Sequence, residues 1–249
     1  MWNCSPWALL PLIYSVFTAA GLWVVYFVAL WNERIVPLGA RTIIRRNGSF
    51  YPPYISVAGN SPPASCIFSE VMNLAAFVGF IIALLRYFQL KPRIDKAWLN
   101  IGSLVAFSIG CFGMTLVGNF QLFTEEMIHN FGTFVTFGLG TLFCWMQSYI
   151  TLRVNIKNEG KLAGIIRFLL SASITVSMIL FFTLMSRRLH MQAAECQWAL
   201  VMFFLVFLGT FAIEFRHCRF DTVCTDVSGR PVSLSETPPE GARYQLDQL

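Results

Sequence analysis

Charge is what this chain has least of: 12% of its 249 residues are Asp, Glu, Lys or Arg, where a soluble globular domain carries about 25%. Histidine is scarcer still, with three in all. His129, His190 and His217 fall in separate stretches, and no His-x-x-x-His pair or Ser-His-acid set can be drawn from them, so neither a metal centre nor a catalytic triad is expected. The one Gly-x-Gly, at Gly138 and Gly140, lies inside an apolar run rather than in a phosphate-binding turn. No catalytic residue, metal or cofactor is therefore expected. Nor do the 18 basic residues form the continuous patch that nucleic acid requires, despite a net charge of +5. They sit in short segments between apolar runs, where they act as topology signals. A long polar segment is also missing before residue 216, and with it any soluble domain.

What is present is apolar. Hydrophobic residues make up 56% of the chain and aromatic residues 15%, and the mean hydropathy is +0.61. Six runs, near 7–30, 66–86, 97–117, 127–150, 165–186 and 194–214, are long enough to cross about 30 Å of hydrocarbon as helices of about 20 residues. The first is longer than a signal-peptide core and has no base before it, so it is expected to stay as a span. Stretches such as Phe77 to Leu85 are apolar on every side, without the alternation that a barrel strand needs. The expected fold class is an all-α, polytopic membrane protein: a six-helix bundle over 1–215 followed by a polar, disordered tail over 216–249. Ser, Thr, Pro, Glu and Asp dominate that tail and could not bury a core.

Six spans put both termini on one side. Ten bases flank the membrane there, Arg86 and Arg167 among them, against six on the other side. The excess predicts cytosolic termini by the positive-inside rule. The first loop then faces outward and offers Asn47, in Asn47-Gly48-Ser49, for glycosylation.

Among the seven cysteines, Cys66 and Cys196 each open a span on the outer face. They are the pair that an oxidising exterior could bridge, the alternative being two free thiols. Cys218 and Cys224 follow the last span closely and are candidates for palmitoylation. Carboxylates near hydrocarbon are costly unless solvated or paired. Glu125 and Glu126 precede the fourth span and Glu70 sits one turn into the second. All three are either cation-path candidates, concentrating cations at an outer mouth, or interfacial groups held by solvent. Glu214, with Arg216 and His217, reads as a juxtamembrane charge cluster. Small residues recur every four positions, as Ala75, Gly79, Ala83, as Gly102, Ala106, Gly110 and as Gly132, Thr136, Gly140. Such stripes let membrane helices approach closely.

Longer motifs carry a resemblance. Pro53-Tyr54-Ile55-Ser56, then Gly59-Asn60-Ser61 through Cys66 leading into a span, and Gly118-Asn119-Phe120-Gln121 after the third span resemble the six-span family of DRAM autophagy modulators and transmembrane protein 150. Leu90-Lys91-Pro92 and Gly209-Thr210-Phe211-Ala212, running into Glu214-Phe215-Arg216-His217, extend the likeness to nearly the whole chain up to Phe215. Many relatives open the sixth span with Cys-Glu-Trp. Here it is Cys196-Gln197-Trp198, so no role of that acid carries over. The resemblance implies a multi-pass protein of the plasma membrane and of endosomes or lysosomes. Its implied activity is a slowly inactivating, mechanically activated, calcium-permeable cation current, as a channel component or as a modulator of another mechanosensitive channel. The alternative it implies is a non-channel adaptor in phosphoinositide supply or autophagy. The implied partners are the lipid bilayer, further copies of the chain and a separate mechanosensitive channel.

The topology is tested with tags before Met1 and after Leu249, both expected to be cytosolic, and by glycosylation at Asn47. A C-terminal tag reached by antibody on intact cells contradicts it.

Overall fold

The computed structural model describes residues 5–40, 51–154, 156 and 160–218. Asn47, Cys224, Trp2 and residues 219–249 of the expected tail lie outside the described residues. Lipid offers backbone groups no partner, so each apolar run closes its hydrogen bonds internally as a helix. Six long helices result: α1 (Leu9–Trp31), α3 (Ala64–Leu90), α4 (Ala97–Asn119), α5 (Glu126–Val154), α6 (Gly160–Ser186) and α7 (His190–Gly209). Two single turns, α2 (Ile55–Ala58) and α8 (Ala212–Phe215), and a 3-10 turn over Pro6–Ala8 complete the helical set among the described residues. Among the described residues there is no strand, only one isolated bridge between Ile35 and Tyr51.

Boundaries follow local chemistry. Pro11 falls at the third position of α1, where a missing N–H leaves no intrahelical bond unmade. Helix α3 stops just before Lys91-Pro92, where Pro92 has no N–H with which to continue the helical hydrogen bonds. The run 194–214 is not one continuous helix. It spans α7 and α8, and between them Phe211 N–H donates to Leu208 O and Glu214 N–H to Phe211 O at 3.1 and 3.2 Å. These three-residue spacings tighten the chain.

Each long helix packs on its neighbour in sequence, and α7 closes back onto α1. The tightest seam joins α4 to α5, where the small residues face one another. Thr136 Oγ1 donates to Gly110 O at 3.3 Å. A Cβ added to Gly113 would stand 2.8 Å from Gly132 O, and one on Gly132 would stand 2.8 Å from Gly113 O. The centre of the ring is filled by rings of another kind: Phe107 and Phe143 lie 4.3 Å apart, and Phe204 stacks on Phe107 at 6.2 Å. The outward face of α6 is apolar and exposed, as at Leu162, Leu169, Val176 and Ile179, which suits lipid. Trp31 and Trp98 are also exposed, at helix ends where an indole suits the membrane interface.

Gly132→Ala should overpack the α4–α5 seam and cost about 1–3 kcal/mol, read as a lower thermal unfolding midpoint in detergent. Gly138→Ala, with no atom within 4 Å of the new Cβ, should not lower the midpoint, since alanine favours a helix interior over glycine. Equal midpoints for the two variants would contradict the seam.

Candidate functional site: a buried arginine–glutamate–arginine cluster

Near the end of the bundle that carries both termini, three charged side chains meet in the interior. Arg86 lies in the last turns of α3, Arg167 seven residues into α6 and Glu214 on α8. At about 1.5 Å per residue, Arg167 is roughly 10 Å inside its helix end. Arg86, Arg167 and Glu214 are 1%, 0% and 2% exposed. Arg167 grips Glu214 with both forks, Nη1 donating to Oε1 at 2.5 Å and Nη2 to Oε2 at 2.6 Å. Arg86 Nη2 stands 3.2 Å from the same Oε1.

Every guanidinium nitrogen of the two arginines has at least one named partner. Arg86 Nε donates to Gln147 Oε1 at 3.1 Å, Nη1 to Gln89 Oε1 at 2.6 Å and Nη2 to Thr151 Oγ1 at 3.2 Å. Arg167 Nε donates to Thr210 Oγ1 at 2.8 Å, and its Nη1 also reaches Thr151 Oγ1 at 2.6 Å. Gln147 passes the network on to Ser103 of α4 at 2.7 Å, and Gln89 returns to the Glu214 carbonyl at 3.0 Å. One carboxylate thus ties together α3, α4, α5, α6 and the α7–α8 turn. Burial of charge is tolerable only with such complete pairing.

Two cations share one anion, so the cluster holds one excess positive charge. One feature offsets it. Both guanidinium groups lie over the face of Phe211, at 5.2 and 4.4 Å from its centroid, where the ring quadrupole is negative. The turn that breaks the last span is what turns Thr210, Phe211 and Glu214 toward the two arginines.

Glu214 is therefore not part of a surface charge cluster with Arg216 and His217. Nor do Arg86 and Arg167 belong with the flanking bases: removing them from the count leaves eight against six, still in favour of the terminal side.

The other expected site residues are dispersed. Glu70, Glu125 and Glu126 are all exposed. Glu126 accepts a 3.4 Å bond from Asn130, and none of the three lines a described cavity. Cys66 and Cys196 are free thiols, the first exposed and the second half-buried. Cys218 is half-buried and accepts a bond from Gln89 Nε2.

The loop before Cys66 is fastened to α7 by hydrogen bonds. Ile55 N–H donates to Gln197 Oε1 at 2.9 Å and Trp198 Nε1 to Pro53 O at 2.9 Å. His129 is buried beneath that loop. Its Nδ1 lies 2.6 Å from Phe120 O and its Nε2 2.8 Å from Ser56 Oγ. A carbonyl only accepts, so Nδ1 carries the proton and, in the neutral ring, Nε2 accepts from Ser56. Tyr54 Oη lies 3.1 Å from His190 Nδ1, and burial pushes the Tyr54 phenol up to about 12, so it keeps its proton at neutral pH. Asn60, Asn119 and Ser56, which stand in the motifs that carried the resemblance, all make bonds at this end.

Between the two ends lies a cavity of about 80 Å³, lined by Tyr14 and Leu22 of α1, Phe68 and Met72 of α3, Met114 of α4 and Phe204 of α7, among others. Its walls are mostly apolar. Thr18 Oγ1 faces it without a hydrogen-bond partner.

Residues 6–218 match the family described as the Frag1/DRAM/Sfk1/Cwh43P N-terminal domain. The chain belongs to this family. Among members of the Frag1/DRAM group, the chain is 33% identical to a zebrafish (Danio rerio) protein named modulator of macroautophagy TMEM150B, over 92% of this chain and 94% of that one. It is 30% identical to human (Homo sapiens) transmembrane protein 150A, over 91% and 90% of the two chains. Against the cattle (Bos taurus) protein named modulator of macroautophagy TMEM150B it is 30% identical, over 96% of each. No solved structure matches the chain. The Frag1/DRAM match covers both the hydrogen-bonded loop before α3 and the buried charge cluster.

Glu214→Gln should leave two buried arginines without their anion and cost about 3–5 kcal/mol, read as a fall in the unfolding midpoint. Adding Arg167→Gln to that variant should recover part of the loss. A single variant as stable as the parent would contradict the ion pairing.

Proposed function

We propose that the protein is a non-conducting, multi-pass modulator of partner membrane proteins, acting at the plasma membrane and at endosomal or lysosomal membranes. One observation carries this reading: among the described residues no polar path runs along the bundle axis. The mostly apolar cavity gives way to the Phe107, Phe143 and Phe207 layer, and beyond that the charge cluster fills the space between the helix ends. A conducting path needs a wet column lined by polar groups. Names of relatives as modulators of macroautophagy support a place in autophagy and endolysosomal control.

A mechanically activated, calcium-permeable current, as the family resemblance implies, fits this reading as modulation of a separate channel. In that role Glu125 and Glu126, exposed at one end of α5, do not act on permeation.

The test is purified protein in liposomes under membrane tension with no other channel present. No current is expected, and a sustained cation current would overturn the proposal. With a mechanosensitive partner present, Glu125→Gln with Glu126→Gln should leave unitary conductance and reversal potential unchanged while altering at most the time course. A shifted reversal potential would contradict it.

A further inference from the structure

At the terminal end of the bundle, apart from the buried cluster, a surface groove of about 250 Å³ opens between the α3–α4 turn and the end of α5. Its lining includes Arg93, Lys96 and Arg153, with Asp95 as the one carboxylate and Tyr149 as the one phenol. All three bases are exposed, and among the described residues none has an ion-pair partner. Two of them are held in place. Arg93 Nη1 donates to Gln89 O at 2.5 Å, and the Arg153 guanidinium lies over the Tyr149 ring at 5.4 Å from its centroid. Beneath them, Leu99 belongs to an apolar cluster with Leu90 and Ile150, against which Ile94 and Val154 also pack. Lys96 caps the start of α4 with no side chain bonded to the first N–H groups of that helix, which adds a partial positive charge to the same place.

We propose that this groove binds the phosphomonoester headgroup of an anionic membrane lipid. Three cations and one carboxylate leave the groove with two positive charges, and a phosphomonoester at neutral pH carries about −1.5 to −2. A phosphodiester headgroup such as that of phosphatidylserine, with its own ammonium, matches less well. The two guanidinium groups supply forked donors suited to phosphate oxygens. Roughly 10–15 Å³ of such space holds one water, so the groove takes a phosphate with part of its hydration. Position agrees with a lipid source: Trp98, beside the groove, is 66% exposed at a helix end where indole rings meet headgroups. With cytosolic termini the groove faces the leaflet rich in anionic lipid.

The test places the full-length protein in phosphatidylcholine nanodiscs doped with phosphatidic acid or with phosphatidylserine, and counts retained lipid by native mass spectrometry. Nanodiscs expose both faces, so the result does not depend on the cellular orientation. Phosphatidic acid should be retained about tenfold over phosphatidylserine, as expected for one or two additional charge-assisted hydrogen bonds. Arg93→Gln, Lys96→Gln and Arg153→Gln together should abolish that preference, with Arg187→Gln and Arg188→Gln, at the opposite end, as the unaffected control. Lys96→Gln alone, which removes no hydrogen bond of the fold, should reduce the preference at least twofold and guards against misfolding of the triple variant. Equal retention of the two lipids, or an unchanged preference in the triple variant, would overturn the proposal. Displacement of the lipid by inorganic phosphate at equal concentration would overturn the lipid source.

Discussion

Glu214 is shared by two arginines, and the terminal ends of α3, α5, α6 and α7 are fixed by that sharing. Hydrophobic burial cannot set their positions, because lipid tails are as apolar as the leucines and phenylalanines that would otherwise hold the helices together. Polar contacts and close backbone packing must do so. In this chain the polar contacts concentrate at two levels: the charge cluster at the terminal end, and the His129, Gln197 and Trp198 bonds under the loop at the other. Close packing fills the level between them, along the Gly113–Gly132 seam.

Such an arrangement favours one closed packing over a range of looser ones. A shift of α6 relative to α8 would break a two-pronged bond between Arg167 and Glu214 and leave a charge in a dry interior, at a cost of several kcal/mol. A modest rotation of α7 would also withdraw the Phe211 ring from both guanidinium groups. The bundle therefore has strong reasons to stay shut, and its outward surfaces include the apolar face of α6 and the basic groove at the end of α5.

Six spans and an all-α bundle were legible in the sequence because lipid dictates run length and leaves helices as the available answer for such runs. The four-residue stripes were legible as packing faces for the same reason. The charge cluster was not read, although its signal was present. Arg86, Arg167 and Glu214 each fall inside an apolar run, with neighbours such as Ile166 and Phe168 on either side of Arg167. Intramembrane charges are expected to find one another. Proximity to span ends made them look like flanking bases, and the break at Thr210–Phe211 that aims Glu214 inward leaves little trace in composition. The carboxylates that stood out, Glu125 and Glu126, are adjacent in sequence yet exposed, since adjacency carries no information about which face a side chain takes.

The account's central claim is a closed bundle with no wet path through its middle, and hydroxyl-radical footprinting of the protein in liposomes, at rest and under tension, tests it most directly. Met72 and Met114 line the central cavity, whereas Met127 is 85% exposed at the start of α5 and serves as the internal reference. The account predicts rapid oxidation of Met127 with Met72 and Met114 protected in both conditions. Oxidation of Met114 at a rate comparable to that of Met127, at rest or under tension, would mean that water reaches the core and would contradict it.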